Sequence, residues 1–233
     1  MPEVKSKQLL VEGIDDLLAV VGIMEHHVAW PREKNRAPVF IDRAGSIDEL
    51  LDTTYLHTKF KESGLEILGI MVDADDRPGG RWQSFRSLCR DIAPNLPDEL
   101  PKNGMIVDCQ MGLRLGFWLM PDCASEGMLE TFLRYLVPTS TESLWVLAQR
   151  AVREAKQAGA LYRDTHTAKA NVHTWLAWQD PPGERLGMAA TKKIFDPHAG
   201  AAAPFVSWFI ELYGLAPTSS PTAETTQSAP NSH

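Results

Sequence analysis

Three carboxylate side chains follow two apolar segments that have the composition of buried strands. Glu12 comes directly after Gln8–Val11, and Asp73 and Asp75 follow Leu65–Val72. Because side chains alternate along a strand, residues two apart face the same side, so Asp73 and Asp75 are expected to point together. The carboxyl ends of parallel strands form the functional edge of an α/β sheet, so all three acids are expected to converge there.

Carboxylate oxygens of this kind suit Mg²⁺ or Mn²⁺, hard cations that keep waters and substrate phosphates in their coordination shells. A carboxylate that does not bind a first cation is available to bind a second one or to move a proton. Acidic residues after strands also serve simply as helix caps or loop residues, and this alternative stays open for each acid taken alone. Their combination favours a metal site for phosphoryl chemistry.

The segments around these acids alternate between strand and helix patterns. Short apolar runs predict five strands, at Gln8–Val11, Pro38–Asp42, Leu65–Val72, Gly104–Cys109 and Leu113–Leu119. Helical spacing of apolar residues predicts helices at Gly13–His27, Ile47–Glu62, Trp82–Ile92 and Ser125–Leu136. This alternation predicts an α/β fold with a mostly parallel, Rossmann-like central sheet, in which the last two strands pair through a tight turn.

The C-terminal part of the chain is predicted to be helical. Helices are expected at Glu142–Ala158, His166–Trp178, Glu184–Phe195 and Pro204–Tyr213. From Ala216 the composition shifts to Pro, Ser, Thr and Ala, which is typical of a disordered tail. The chain therefore divides into an α/β domain at 1–137, a helical extension packed on it at 138–215 and a tail at 216–233.

Composition limits the class of protein. The chain of 233 residues is 44% hydrophobic, which is enough for a sizeable core. Its net charge of −7 and pI of about 5.5 argue against a purely electrostatic nucleic-acid binder, although bound divalent cations would reverse the charge locally. Three cysteines without CxxC spacing argue against a disulfide framework or zinc ribbon and favour a reducing cytoplasm. Neither a signal peptide nor a membrane-spanning run is recognisable, so no membrane partner is expected.

In this context the acidic motifs resemble those of the Toprim domain. That family has a glutamate after its first strand, matched here by LLVEGIDD (Leu9–Asp16), and a DxD after its third, matched by IMVDADD (Ile70–Asp76). The resemblance runs from about Gln8 to Val137. It is nearest to small stand-alone bacterial Toprim proteins of uncharacterised function and to the Toprim domain of OLD-type nucleases, and GFWLMPDCASEGMLETFL (Gly116–Leu133) adds to the OLD-type similarity.

The resemblance implies roles for the acids. Glu12 would act as a general acid/base or metal ligand, while Asp73 and Asp75 would coordinate Mg²⁺. OLD-type domains are similar in placing further acids after a later strand, where they hold a second metal. By position, the candidates for that second site are Asp122, Glu126 and Glu130. The last two are four residues apart and are expected to share one face of a helix.

A basic side chain near such a site would stabilise the charge that develops on a reacting phosphate. Arg77, which follows the acidic motif Asp73–Asp76, is the favoured candidate, ahead of Arg81, Lys169, Lys192 and Lys193. The alternative for each is an ordinary solvated surface residue.

Parts that accompany better-known relatives are missing from this sequence. The three cysteines cannot build the zinc module of bacterial primases, and the length leaves no room for the large tyrosine-bearing domains of topoisomerases. The ATPase of OLD-type nucleases is also missing, since no GxxxxGK[ST] loop is present. A cooperating NTPase would therefore be a separate chain.

The leading hypothesis is a Mg²⁺-dependent Toprim nuclease that cleaves a phosphodiester bond in DNA or RNA. One alternative is nucleotidyl transfer or phosphohydrolysis on a smaller phosphate substrate. Another is a non-catalytic metal-binding or regulatory module that acts with a protein partner. The acidic charge favours the two alternatives, whereas the complete set of Glu and DxD residues favours catalysis.

Overall fold

A five-stranded sheet lies at the centre of the molecule. The computed structural model describes residues 5–31, 33 and 36–218. The strands are β1 Lys7–Val11, β2 Phe40–Arg43, β3 Ile67–Asp73, β4 Met105–Asp108 and β5 Arg114–Met120. Their order across the sheet is β2-β1-β3-β5-β4; β4 runs antiparallel to β5, and the other neighbouring pairs are parallel. The predicted α/β class with a mostly parallel, Rossmann-like sheet is confirmed.

The central strands end together because of their register. In β3 and β5 nearly every residue is buried, which is the pattern of parallel strands covered on both faces. Asp73, the last residue of β3, lies opposite Met120, the last residue of β5. Val11, at the end of β1, lies opposite Arg43 at the end of β2. The carboxyl ends of all four parallel strands therefore form one edge of the sheet.

The helices lie between and after the strands. They are α1 Ile14–Met24, α2 Ile47–Leu50, α3 Thr53–Phe60, α4 Pro78–Leu88, α5 Leu129–Tyr135, α6 Glu142–Gln157, α7 Thr167–Leu176, α8 Leu186–Thr191 and α9 Ala203–Tyr213. α4 begins four residues earlier than predicted because Pro78 occupies its first turn, where a missing backbone N–H costs nothing. The predicted helix Glu184–Phe195 is shortened to α8, and Lys193 just beyond it has a left-handed φ of 58°.

The predicted helix Ile47–Glu62 is in fact two helices, α2 and α3. The Ser46 hydroxyl accepts a hydrogen bond from the Glu49 N–H at 3.2 Å and begins α2. The Asp52 carboxylate accepts one from the Tyr55 N–H at 2.8 Å and begins α3. A second N-cap inside an apolar periodic segment therefore restarts the helix, which the periodicity alone does not reveal.

The C-terminal helices share one hydrophobic core with the sheet, which includes residues such as Leu9, Trp175 and Phe209. α9 packs closely on β3 and β5 because glycines face it: a Cβ on Gly69 would lie 2.3 Å from the Tyr213 hydroxyl, and one on Gly116 would lie 2.4 Å from Leu212. The same tyrosine hydroxyl donates to the carbonyl of Gln8 at 2.7 Å. The last helix thus completes the burial of the first strand.

The predicted tail begins inside the described residues. Pro217 forms an antiparallel bridge with Val28, and the Thr218 N–H donates to the His27 carbonyl at 2.8 Å. The rest of the predicted tail, from residue 219 to 233, lies outside the described residues. Within the described ranges, no helix is both long enough and apolar enough to cross a membrane.

Candidate active site

Glu12 lies one residue beyond β1 and is fixed to the neighbouring strand. Its Oε1 accepts a hydrogen bond from the Asp73 backbone N–H at 2.9 Å. Burial raises the pKa of the Glu12 carboxyl to about 6, and the nearby charges of Asp16 and Asp75 raise it further against the lowering effect of that N–H. The ends of β1 and β3 are therefore joined through an acid that is costly to ionise.

Asp73 ends β3 and is fixed in a similar way. Its Oδ1 accepts a hydrogen bond from the Leu129 N–H, at the first turn of α5, at 2.9 Å. Burial raises the pKa of Asp73 well above its usual value, and four surrounding carboxylates add to the rise. In order of effect they are Asp16, Glu12, Glu130 and Asp75.

Asp75 belongs to the same group of acids. It does not reach them by lying two residues after Asp73 on the same strand, as the sequence predicted. β3 ends at Asp73, and Asp75 has a left-handed φ of 51°. Its backbone exchanges two hydrogen bonds of 2.8 Å with Gly127, which forms an isolated antiparallel bridge. The expected i, i+2 geometry is therefore wrong, because the chain leaves the strand to pair with the loop before α5. The Asp75 carboxylate forms an ion pair with Arg81, with Nη2 and Oδ2 2.6 Å apart.

Asp16, on α1, is a member of this group that the sequence reasoning missed as a site residue. Its Oδ2 accepts a hydrogen bond from the Gly13 N–H at 2.9 Å. Burial raises the pKa of Asp16 to about 6, against this N–H, and the charge of Glu130 adds to the rise. A sequence signal was available, because Asp16 lies in the first turn of the helix that directly follows Glu12.

Glu130 is the one residue of the predicted second acidic set that joins the group. Its side chain is only 5% exposed, and its Oε1 lies 3.0 Å from the Lys169 Nζ of α7. Burial lowers the pKa of Lys169, but the attraction of Glu130, with smaller effects from Asp73 and Asp15, outweighs burial and leaves the pKa raised. Lys169 therefore stays cationic and brings a C-terminal helix to the acidic group.

Among the described residues, Asp122 and Glu126 form no ion pair with Arg81 or Lys169, the two cations that contact this group. The Asp122 carboxylate accepts hydrogen bonds from the N–H groups of Ala124 and Ser125, at 3.1 and 2.7 Å. These bonds stabilise the turn that follows Asp122. Glu126 is exposed and precedes α5, which begins at Leu129, so the predicted helical face shared with Glu130 is wrong. The bridge of Gly127 to Asp75 delays the start of the helix.

Arg77 points to solvent rather than into the group. Its side chain is 81% exposed, and its Nε lies 3.5 Å from Asp76, which is also exposed. Arg81, one turn further along α4, contacts Asp75 instead and also lowers the pKa of Glu12 slightly. Of the two arginines singled out in the sequence, Arg81 is the one that the fold brings to the acids.

We call these five carboxylates the acidic cluster: Glu12, Asp16, Asp73, Asp75 and Glu130. In the described part of the chain, no three His, Cys, Asp or Glu side chains form a ready cage for a metal ion. A dedicated cage is not what Mg²⁺ requires, because it binds one or two protein carboxylates and completes its shell with waters and phosphate oxygens. The donor set consists of carboxylates alone, several of which repel one another in a partly buried place, and this fits a hydrated Mg²⁺ or Mn²⁺.

The fold and the acidic cluster define a class, an α/β protein of Rossmann-like topology with convergent carboxylates at the carboxyl edge of its parallel strands. The family model of DUF3226, described as a protein of unknown function, matches residues 6–214. The chain therefore belongs to the DUF3226 family, and the match spans all elements from β1 to α9. No curated protein and no solved structure matches the chain.

Proposed function

We propose that this protein is a Mg²⁺- or Mn²⁺-dependent enzyme that cleaves phosphodiester bonds in nucleic acid, as the Toprim nucleases that it resembles do. The observation that carries the proposal is the convergence of carboxylates from separate elements at the carboxyl edge of the sheet. Glu12 lies at the end of β1, and Asp73 and Asp75 lie at the end of β3 and just beyond it. Asp16 is on α1 and Glu130 is on α5. Metals that hold a phosphate are bound by carboxylates in this kind of position.

The acids of the cluster divide into two roles. Asp73 and Asp75 would hold the cation, which would supply a positive charge to polarise a phosphate oxygen and to lower the pKa of a water molecule. Glu12 accepts a proton from the attacking water or donates one to the leaving oxygen. A carboxyl group with a pKa of about 6 exchanges protons efficiently near neutral pH. The hydrogen bond from the Asp73 N–H keeps Glu12 beside the cation ligands.

Two cationic side chains border the cluster and stabilise the charge that develops on the phosphate. Lys169 reaches it from α7 and is 51% exposed, so its ammonium group is accessible to a substrate. Arg81 reaches it from α4 beside Asp75. Arg77 remains a candidate for a contact with a more distant phosphate, since its exposed guanidinium lies just after the same loop.

A second candidate function is phosphohydrolysis or nucleotidyl transfer on a small phosphate compound. The net charge of −7 favours it, because a long polyanion is repelled by an acidic protein whereas a single phosphate group meets only the local site. A non-catalytic role with a separate protein partner, such as an NTPase, is the third.

The test is incubation of the purified protein with single- and double-stranded DNA and RNA in Mg²⁺ or Mn²⁺. Asp73→Asn removes a cluster charge. Asp108→Asn is the matched control, because Asp108 is 79% exposed and pairs with Arg114 at the far end of β5. Metal-dependent cleavage by the wild type and Asp108→Asn, with loss of at least about 100-fold in Asp73→Asn, supports the nuclease.

The same preparations distinguish the alternatives. If no nucleic acid is cut, release of phosphate or pyrophosphate from nucleoside triphosphates that depends on Asp73 identifies the small-substrate enzyme. If neither reaction occurs while Mn²⁺ still binds in calorimetry, the regulatory role replaces both enzymatic proposals. A wild type that binds no cation and turns over no phosphate substrate contradicts the metal site.

We also propose a reducing cytoplasm as the compartment. Cys89, Cys109 and Cys123 are all free thiols, and two of them are buried. Burial raises the pKa of Cys109 to about 11 and that of Cys123 to about 12, so these thiols are protonated and unreactive at neutral pH. Unpaired cysteines of this kind are typical of intracellular proteins.

A further inference from the structure

Within the acidic cluster, Asp75 is held differently from three of the other acids. Glu12, Asp16 and Asp73 each give one carboxylate oxygen to a backbone N–H, and these amides are fixed by the fold. The Asp75 carboxylate instead accepts a hydrogen bond from a side chain, the guanidinium of Arg81, at 2.6 Å. A side chain can change rotamer while the backbone stays in place, so of these four acids Asp75 is the one whose contact can be exchanged.

The ion pair of Asp75 and Arg81 is accessible and incompletely bonded. The side chain of Asp75 is 45% exposed and that of Arg81 is 26% exposed. Within the described residues, the Nε of Arg81 is buried and has no hydrogen-bond partner. A buried donor without an acceptor is unfavourable, so the present placement of the guanidinium is maintained chiefly by its charge contact with Asp75.

Two other ion pairs show that this arrangement is particular to Arg81. Arg86, on the same helix, has both ends of its guanidinium occupied, with Nε donating to the Leu96 carbonyl at 3.2 Å and Nη2 2.7 Å from Asp98. Lys169 also pairs with a cluster acid, but that acid, Glu130, is only 5% exposed. Arg81 alone among these three combines an accessible acid with an unused donor.

We propose that Arg81 is an exchangeable counter-ion, which neutralises Asp75 until a divalent cation takes over that carboxylate and then turns to bind a phosphate of the substrate. The inference rests on the proposed function, since it assigns a second task to a residue of the same site. A guanidinium this close to a carboxylate oxygen would be repelled by a cation on that carboxylate. Released, it offers paired N–H groups that match the oxygens of a phosphate.

An exchange predicts two effects of opposite sign when Arg81 is replaced. Loss of the guanidinium removes a competitor for Asp75, so the cation binds more tightly. It also removes a phosphate ligand, so a phosphate compound binds more weakly. A residue that merely holds Asp75 in place would weaken both kinds of binding, because the carboxylate would lose its orientation.

The experiment is calorimetry on the whole protein with two probes. Mn²⁺ alone is the first probe, and thymidine 3′,5′-bisphosphate in saturating Mg²⁺ is the second. For Arg81→Gln we expect the Kd of Mn²⁺ to fall about threefold and the Kd of the bisphosphate to rise about tenfold. Arg86→Gln, on the same helix with its ion pair directed to Asp98, is expected to change neither value.

Arg81→Lys provides a second variant that retains the charge. It is expected to restore the wild-type Kd of Mn²⁺ while leaving the bisphosphate weaker, because an ammonium group cannot bind two phosphate oxygens as a guanidinium does. Weaker Mn²⁺ binding in Arg81→Gln, in a protein with an unchanged circular dichroism spectrum, overturns the exchange. A wild type that binds no Mn²⁺ contradicts the proposed function itself, so the two failures are separable.

Discussion

The Leu129 N–H donates a 2.9 Å hydrogen bond to the carboxylate of Asp73, which joins the end of β3 to the start of α5. The residue after Leu129 is Glu130. Burial is the largest cause of the raised pKa of Asp73, and the charge of Glu130 is one of the smaller causes. This hydrogen bond therefore holds Asp73, the acid predicted from the DxD motif, beside the segment that carries Glu130, an acid 57 positions later in the chain.

Asp73→Asn is expected to abolish stabilisation of the protein by divalent cations. Asparagine keeps an acceptor for the Leu129 N–H but removes the charge that the cation requires. In the wild type, Mn²⁺ at 100 times its Kd should raise the free energy of unfolding by about 2.7 kcal/mol. Thermal denaturation across a Mn²⁺ titration measures this, with Asp108→Asn as the control. An equal rise of Tm in Asp73→Asn would remove Asp73 from the set of cation ligands.

Asp16→Asn is expected to stabilise the metal-free protein at high pH. The carboxyl pKa is 3.8 ordinarily and about 6 in the folded protein, so the folded chain holds a proton that the unfolded chain releases. The wild type therefore loses stability as pH rises from about 4 to 6, and the loss persists above that range. In EDTA, Asp16→Asn should exceed the wild type by about 1–3 kcal/mol at pH 8 but not at pH 4. Urea denaturation at both pH values decides the matter, and an advantage independent of pH would contradict the assignment.

Gly127→Ala is expected to disturb the position of Asp75. Gly127 has a φ of 138°, and a Cβ there would lie 2.6 Å from the hydroxyl oxygen of Thr131. The bridge to Asp75 should be displaced, at a cost of about 2–4 kcal/mol in unfolding free energy. Gly159→Ala is the control, since Gly159 also has a positive φ, 104°, but no atom within 4 Å of the added Cβ, and should cost about 1–2 kcal/mol. Equal costs in denaturation, with unchanged Mn²⁺ affinity, would show that the bridge does not position Asp75.

His26→Gln is expected to reduce the acid sensitivity of the fold. Burial lowers the pKa of His26 below its ordinary 6.5, and electrostatic repulsion from Lys193, His198 and His27 lowers it further, against the raising effect of the Thr191 backbone. As pH falls, His26 is protonated more readily in the unfolded chain than in the folded one. Its contribution to the free energy of unfolding is therefore fully present above about pH 6.5 and is lost below it. Denaturation midpoints between pH 7.5 and 5 should fall less steeply in His26→Gln than in the wild type. Equal slopes in His26→Gln and the wild type, measured in the same buffers, would contradict the assignment.

The positions of Glu12 and Asp73 were predictable because each is reached by a local rule. An apolar run ends just before Glu12 and another ends just before Asp73, and parallel strands bring their carboxyl ends to one edge. Asp75 was predicted to lie near them, but its left-handed backbone depends on pairing with Gly127, a residue 52 positions later. The alternation of side chains along a strand does not predict a bridge between two distant segments.

Other parts of the site depend on packing between distant segments. Glu130 resembles a solvated helix residue in the sequence, and only the placement of α5 and α7 buries it against Lys169. Asp16 has the sequence pattern of an acid at a helix N-terminus, where such residues commonly stabilise the dipole. Its proximity to Glu130 follows from the three-dimensional arrangement and has no local signature.

The hydrogen bond from Tyr213 to Gln8 spans 205 residues of sequence. At about 5–20 residues per second, a ribosome needs roughly 10–40 s to synthesise the chain between them. From the synthesis of Gly116 until that of α9, the sheet around Gly69 and Gly116 lacks the helix that covers it in the folded protein. Burial of this part of the sheet therefore waits until α9 has been made, and a chain terminated before α9 would expose it to chaperones and proteases.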